Sequence, residues 1–513
     1  MIDEAQLRTL DAQQLREVVR SLMGQIQQRD REIAFKQATI DKITHEMAVL
    51  KRLKFAAKSE HFSAEQQSLL EEAIDADLEA LQRELEHLAP EAPAEREKRS
   101  PKREKLPEHL PRREIRHEPG STTCSCGCQL KRIGEDVAEK LDYQPGVFSV
   151  ERHIRGKWVC AQCETLVQAP VPAHIIDKGI PTTGLLAQVL VAKYIDHQPL
   201  YRQESIFGRA GLVIARSTLA QWVGACGVQL QPLVDALKDE LLRHGVLHAD
   251  ETPVAMLEPG NGKTHRAYLW SYCTGAFEPT QAVVFDFADS RAGRHAKAFL
   301  GPWRGKLVCD DYSGYKALFD DGITEAGCLA HARRKFFDLW VNHKSQIAQE
   351  ALELFGRLYK VEDEVRHLEP EQRQRIRKQR AQPWATALHA WLQAHRLKVP
   401  DGSATAKAID YSLRRWSALV RYIDDGMLPA DNNWVENQIR PIALGRSNWL
   451  FAGSLRAGQR AAAIMSLVHS ARINGHDPYA YLKDVLERLP TQAASRIGEL
   501  LLHRWQAPSA NRE

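Results

Sequence analysis

Apolar residues recur every seven positions near the start of the chain, at Val19, Ile26, Ile33, Ile40 and Met47. Leu15, Leu22, Ile43 and Leu50 fill the second core position of the repeat, where Arg29 and Lys36 interrupt it. This period predicts a coiled coil over residues 11–56 and hence self-association; the competing expectation is a helix packed within its own chain. A second helical pattern covers 63–88. Residues 91–120 then bring prolines and mixed charges, with too little apolar surface to fold alone, and read as a linker. Residues 181–243 look wholly helical. Within them ESIFGRAGLVIARSTLAQWV (204–223) has a helix, a turn at Gly211 and a second helix with Ser217 as its N-cap. That outline is a helix-turn-helix, a DNA-reading element, although many ordinary helix pairs share it.

From residue 246 the period changes to that of strands. VLHAD (246–250), AYLWSYC (267–273), QAVVFDF (281–287), KLVCD (306–310) and ITEAGC (323–328) read as strands, with a helix at 291–300. Three successive strands, a helix and a returning strand give the order of a ribonuclease-H-like core. In that topology the first and fourth strands are neighbours. Asp250 and Asp310, at their ends, would therefore converge. Alternation along a strand puts Glu251 and Asp311 on the opposite face. Residues 346–425 read as a helical insertion. After it, Asn432, Glu436 and Arg440 share one helix face, and Pro441 is expected to end or kink that helix near Arg440.

The expected fold class is multidomain α+β. It comprises an N-terminal coiled coil (1–60), a helix and charged linker (61–120), a small zinc-binding β module (121–176) and a helical DNA-binding region (177–244). A ribonuclease-H-like core (245–345 and 426–480) follows, holding an all-helical insertion (346–425), and a C-terminal helix and tail (481–513) close the chain.

Composition adds exclusions. The 513 residues are 43% hydrophobic and 27% charged, a soluble globular profile. The most apolar run, LLAQVLVAKYI (185–195), is broken by Gln188 and Lys193, so no membrane span is expected. MIDEAQLRTL has neither the basic start nor the apolar core of a secretory signal, which points to the cytoplasm. Five of the nine cysteines, Cys124, Cys126, Cys128, Cys160 and Cys163, fall in two knuckles joined by strands. That spacing suits tetrahedral Zn²⁺ held by four of the five, with one of the first three to spare. Net charge is only +4, yet residues 437–476 contain five arginines and no acid. Four of them, Arg440, Arg446, Arg456 and Arg460, are candidate phosphate contacts.

Three carboxylates, Asp250, Asp310 and Glu436, would repel one another without a cation. They suit two Mg²⁺ (or Mn²⁺) ions, which take oxygen ligands and stabilise both ends of a phosphodiester displacement.

These residues also carry a resemblance. HQPLYRQESIFGRAGLVIARSTLAQWV (197–223), HADETPV (248–254), DDYSGYK (310–316), GCLAHARRKFFD (327–338), NNWVENQIRP (432–441) and FAGSLRAGQRAA (451–462) resemble motifs of the IS66 insertion-sequence transposases, DDE-type enzymes. KRLKFAAKSEHFS (51–63) resembles the segment that follows the family's coil, and LPEHLPRREIRHEP (106–119) with the knuckles resembles its zinc-binding domain. The resemblance implies that Asp250, Asp310 and Glu436 are the catalytic triad. Asp311 stands where the family usually has glycine, so either aspartate could serve. Cys328 and His331 form a Cys-x-x-His arrangement, read either as support of the site or DNA contact, or as a packed cysteine and a surface histidine. The implied activity is binding of terminal inverted repeats, cutting to expose a 3′ hydroxyl and strand transfer into target DNA. The implied partners are DNA, further copies of the chain and accessory proteins of the same element. The competing readings are a metal-dependent nuclease that does not join strands and a catalytically silent DNA-binding repressor.

Overall fold

The computed structural model describes residues 12–56, 64–88, 106–108, 110–119, 121–123, 127–144, 146–176, 179–258 and 263–507; Cys124, Cys126 and most of the expected linker lie outside them. Helix α1 (Ala12–Ala56) has two characters. Its first half carries Val19, Leu22, Ile26 and Ile33 more than half exposed, whereas Ile43 is 2% exposed and Leu50 packs beside Leu69, Leu70 and Ile74. The difference is helix α2 (Ala64–Leu88), which folds back on the second half only. The heptad seam thus has an in-chain partner at one end and none among the described residues at the other.

Helix α2 belongs to the core, although its sequence neighbourhood looked like a spacer. It runs along α5 (Arg216–Leu241), and a Cβ on Gly224 would sit 2.3 Å from the Ala76 carbonyl, so only glycine permits this approach.

The small β module is a long hairpin, β2 (Leu130–Gln144) with β3 (Val147–Cys160), flanked on β3 by β1 (Arg112–His117) and β4 (Leu166–Gln168). Three helices follow, α3 (Thr183–Tyr194), α4 (Leu200–Arg209) and α5. Gly211 adopts φ +88, as the expected turn requires. The N-cap of α5 is Ala215, not Ser217, and the Glu204 carboxylate accepts the Arg216 N–H in place of a capping hydroxyl. Half of the 26 residues of helix α5 are buried, which makes it a core helix as well as the second helix of the pair.

The central sheet has the order β7-β6-β5-β8-β9, with β5 (Val246–Leu257), β6 (Thr264–Thr274), β7 (Val283–Ala288), β8 (Lys306–Cys309) and β9 (Thr324–Gly327). The first three strands pair antiparallel; β8 pairs parallel to both β5 and β9. Helix α6 (Gly293–Leu300) supplies the crossover. The first and fourth strands are neighbours, as expected. One expectation fails: β5 does not end at Asp250 but runs seven residues further, to Leu257. Its pairing with β8 stops at His248, and beyond that point it pairs with β6 and, on its open edge, with Ala452. Ala255 and Leu257 bond to Ala452 along that edge, so Pro253, two residues earlier, turns its missing N–H outward where no strand needs it.

Helix α7 (Leu329–His343) leads into the helical insertion, with α8 (Gln346–Val365), α9 (Gln382–Arg396) and α10 (Ala404–Arg414) around their own apolar core. Arg377, fully buried, binds Glu362 with two nitrogens and donates to the carbonyls of Tyr422, Asp425 and Leu428. The chain returns through α11 (Asn433–Trp449) and α12 (Leu455–Ile473) and ends after α13 (Pro478–Arg488). Helix α11 passes through Pro441 without ending there, so of the two expected outcomes the end is excluded. Helix α12 covers edge strand β7: the Ser466 and Ser470 hydroxyls accept the N–H groups of Phe285 and Val283, doing the work of a missing strand.

His469 on α12 is 1% exposed, and burial, helped by Arg472, pushes its pKa down to about 3. The folded protein therefore needs it neutral. Its contribution is complete above the unfolded value near 6.5 and is lost as pH falls toward 3. We expect His469→Gln to flatten the acid limb of Tm against pH, removing on the order of 2–4 kcal/mol of acid sensitivity.

Candidate functional site

Three elements converge where β5 loses its neighbour β8. Asp250 lies on β5 two residues past the last β8 pair, Asp310 follows the last residue of β8, and Glu436 sits in the first turn of α11. Asp250 feels all of them. Its pKa is raised well above the usual carboxylate value, by burial first, then by the charges of Glu251, Asp310 and Glu436. The Asp250 and Asp310 carboxylates each accept a backbone N–H, from Glu251 at 2.9 Å and Tyr312 at 2.9 Å, which fixes their orientation.

Glu251 is a residue that sequence reasoning set aside. Its side chain is 1% exposed. It accepts a hydrogen bond from the Tyr315 hydroxyl at 2.8 Å and one from Arg291 Nε at 2.7 Å. It thereby ties the turn after Asp310 and the entry to α6 onto β5. The signal available was its adjacency to Asp250; its partners lie 40 and 64 residues away. Asp311 turns to Arg415 of the insertion at 3.6 Å, which leaves Asp310 as the aspartate that acts on Asp250.

Asn432 places Glu436. It is fully buried at the N-cap of α11. Its amide donates to the Ala249 carbonyl at 2.9 Å, and its oxygen meets His248 Nδ1 at 2.8 Å. Its own N–H donates to Cys328 Sγ at 3.1 Å. The start of α11 is thus bolted to the residue before Asp250 and to the end of β9. Burial drives the His248 pKa down to about 4, so this histidine is neutral. Asn432→Ala leaves the histidine and the carbonyl unpaired, and we expect a loss of about 2 kcal/mol in urea unfolding.

His331, one turn into α7, stands 3.7 Å from Glu436 Oε1, and Arg334 is 3.5 Å from Oε2. Among the described residues, Cys328, His331 and Glu436 are the one set of three potential metal ligands whose donor atoms all lie within 4.8 Å of one another. The three carboxylates of the expected triad stand further apart than that.

The four basic candidates divide. Arg440 is exposed beyond Glu436 on α11. Arg446 donates to the Pro253 carbonyl on β5 at 2.5 Å. Arg456 is held by Glu46 and Glu84, at 2.7 and 2.8 Å. Arg460 is 9% exposed and pairs with Asp77 at 2.8 Å. The last two expectations are corrected: these arginines are neutralised by acids of the N-terminal helices, which a scan of the acid-free stretch could not see.

At the far end of the β module, a bridge between Thr123 and Gln129 closes the first cysteine knuckle. Cys128 packs against buried Cys160, and Cys163 lies on the turn that follows β3. The described cysteines of both knuckles thus lie at one end of the hairpin, although their three sulfurs do not all come within 4.8 Å of one another.

Comparison with known proteins finds four family models along the chain. The family described as "Transposase IS66 family" matches residues 178–460. "IS66 C-terminal element" matches 466–501, and "zinc-finger binding domain of transposase IS66" matches 121–164. "Transposase C of IS166 homeodomain" matches 42–115. Among curated relatives, "Uncharacterized protein y4jD" of Sinorhizobium fredii is 37% identical over 420 residues, 78% of this chain and 82% of its own length. "Uncharacterized protein y4qI" of the same organism is 36% identical over 468 residues, 88% of this chain and 86% of its own. The zinc-finger match supports a structural Zn²⁺ in the β module, and no described helix is long and apolar enough to cross a membrane.

Proposed function

Since the chain belongs to the IS66 transposase family, we propose that it is a DDE transposase, with Asp250, Asp310 and Glu436 as its catalytic carboxylates on a ribonuclease-H-like core. The observation that carries this reading is the convergence of three elements where β5 and β8 part, with the charges of Asp310 and Glu436 both bearing on Asp250. The sheet order, with the first and fourth strands parallel neighbours, supports the same fold.

The residues fit Mg²⁺. All three are oxygen ligands, Asp250 is held in surroundings that penalise its bare charge, and Glu436 Oε1 is buried without a hydrogen-bond partner. Bound there, Mg²⁺ would supply Lewis-acid stabilisation of the charge that develops on a phosphodiester. The chain's own part is positioning. Asn432 sets Glu436, Tyr312 N–H orients Asp310, and Glu251 with Arg291 and Tyr315 braces the strand beneath. Arg440 and Arg446 remain the candidates to hold the DNA backbone, and the proposed substrates are the terminal inverted repeats and target DNA. The test is strand transfer of a pre-cut terminal-repeat oligonucleotide into plasmid, with triad variants as controls. Cutting without joining would favour the nuclease; tight binding with neither would favour a repressor or a need for the element's accessory proteins.

The exposed half of α1 supports self-association. Val19, Ile26 and Ile33 present a seven-residue seam that nothing described in this chain covers. We expect the double change Ile26→Glu with Ile33→Glu to shift sedimentation toward the monomer while leaving Tm within about 1 °C, because exposed substitutions lie within roughly 0.5 kcal/mol.

A further inference from the structure

Two helices begin at one point. Cys328 is the N-cap of α7 and Asn432 the N-cap of α11, and the Asn432 N–H donates to Cys328 Sγ. His331 and Glu436 project from the first turns that follow. Their facing atoms, His331 Nδ1 and Glu436 Oε1, are 3.7 Å apart, and both are buried without a hydrogen-bond partner. That separation is too long for a hydrogen bond between them. Two buried polar atoms that face each other unpaired, beside a fully buried thiol, call for something between them.

We infer that Cys328 Sγ, His331 Nδ1 and Glu436 Oε1 form a binding site for a divalent transition metal of the zinc class, separate from the cysteine knuckles. Zinc bonds of about 2.0–2.3 Å to nitrogen, oxygen and sulfur give tetrahedral edges of roughly 3.3–3.7 Å. The observed 3.7 Å edge needs little or no closure. The Asn432 N–H already points at the Cys328 sulfur, while burial holds the free thiol protonated, so an ion bound here would displace that proton. A sulfur–nitrogen–oxygen set selects zinc over magnesium, which takes oxygen. Three protein ligands leave the fourth position open. If the transposase reading holds, an ion here engages Glu436 and removes it from the triad, so zinc acts against magnesium.

The test uses the full chain with its knuckle zinc in place and Co²⁺ as the probe. Wild type is expected to take up one more Co²⁺ than Cys328→Ser, with a near-ultraviolet sulfur-to-cobalt band that the variant lacks. His331→Gln, which leaves the N-cap thiol intact, should bind that extra ion at least tenfold more weakly. Equal uptake and identical spectra in wild type and Cys328→Ser would overturn the site. Should Cys328→Ser fail to fold, His331→Gln decides alone, and unchanged Co²⁺ affinity there rejects the proposal. The titration reads no activity, so it stands or falls separately from strand transfer.

Discussion

Asp250→Asn, Asp310→Asn and Glu436→Gln should each lower strand transfer by about 10³-fold or more, while terminal-repeat binding stays within a few-fold of wild type. The magnitude follows from the chemistry assigned to the site. Metal stabilisation of the reacting phosphate is worth several kcal/mol, and each 1.36 kcal/mol is a factor of ten. The changes are isosteric and remove only ligating charge. Asp311→Asn is the control that discriminates. Asp311 faces Arg415, so its loss should leave transfer nearly unchanged. Equal loss in Asp310→Asn and Asp311→Asn would show that the wrong aspartate has been assigned. In the metal-free protein the sign of the stability effect reverses. Burial and three like charges raise the Asp250 pKa, so its ionisation opposes folding as pH rises through that raised value. Asp250→Asn should therefore melt higher than wild type at pH 8 in EDTA, and Mg²⁺ should narrow the gap.

Arg460→Ala should destabilise the protein by about 3–5 kcal/mol, the usual result of removing one partner of a buried ion pair. The Arg460 side chain is 7% exposed and that of Asp77 1%, so the stranded carboxylate has no water to turn to. A DNA-contact role predicts the opposite pattern, an unchanged Tm with weaker, less salt-sensitive binding. Urea unfolding and a salt series on the same variant separate the two. Arg440→Ala should show the second pattern, since Arg440 is exposed on the far side of Glu436.

The sequence was most legible where a short-range pattern decided the outcome. Strand periodicity located all five strands of the central sheet, and their order made Asp250 and Asp310 neighbours. The errors came from partners remote in the chain. Strand β5 outruns its apolar start because β6 and Ala452 continue to pair with it. The basic stretch looked free because its counter-charges lie some 370 to 410 residues upstream. Ser217 looked like a cap, yet α5 opens two residues earlier and Glu204 accepts the Arg216 N–H there. Glu251 was dismissed by alternation, a rule that gives the face of a strand but not what packs on it. Asn432 was read as part of a polar helix face, whereas its amide is the buried fastener between α11 and β5.

The seating of α2 in the core also governs how the molecule is made. Leu81 and Ala80 of that helix are buried, and Asp77 bonds both Ser454 and Arg460. A ribosome adds roughly 5–20 residues per second, so α2 waits on the order of tens of seconds for the segment that completes its seat. Helix α5 packs along it earlier, but throughout that interval Asp77 lacks both Ser454 and Arg460. A chain that stops short of residue 454 is therefore left with a carboxylate in the core and no counter-charge, and its expected fate is degradation or aggregation. Completion of synthesis is the checkpoint that precedes assembly of the carboxylate site.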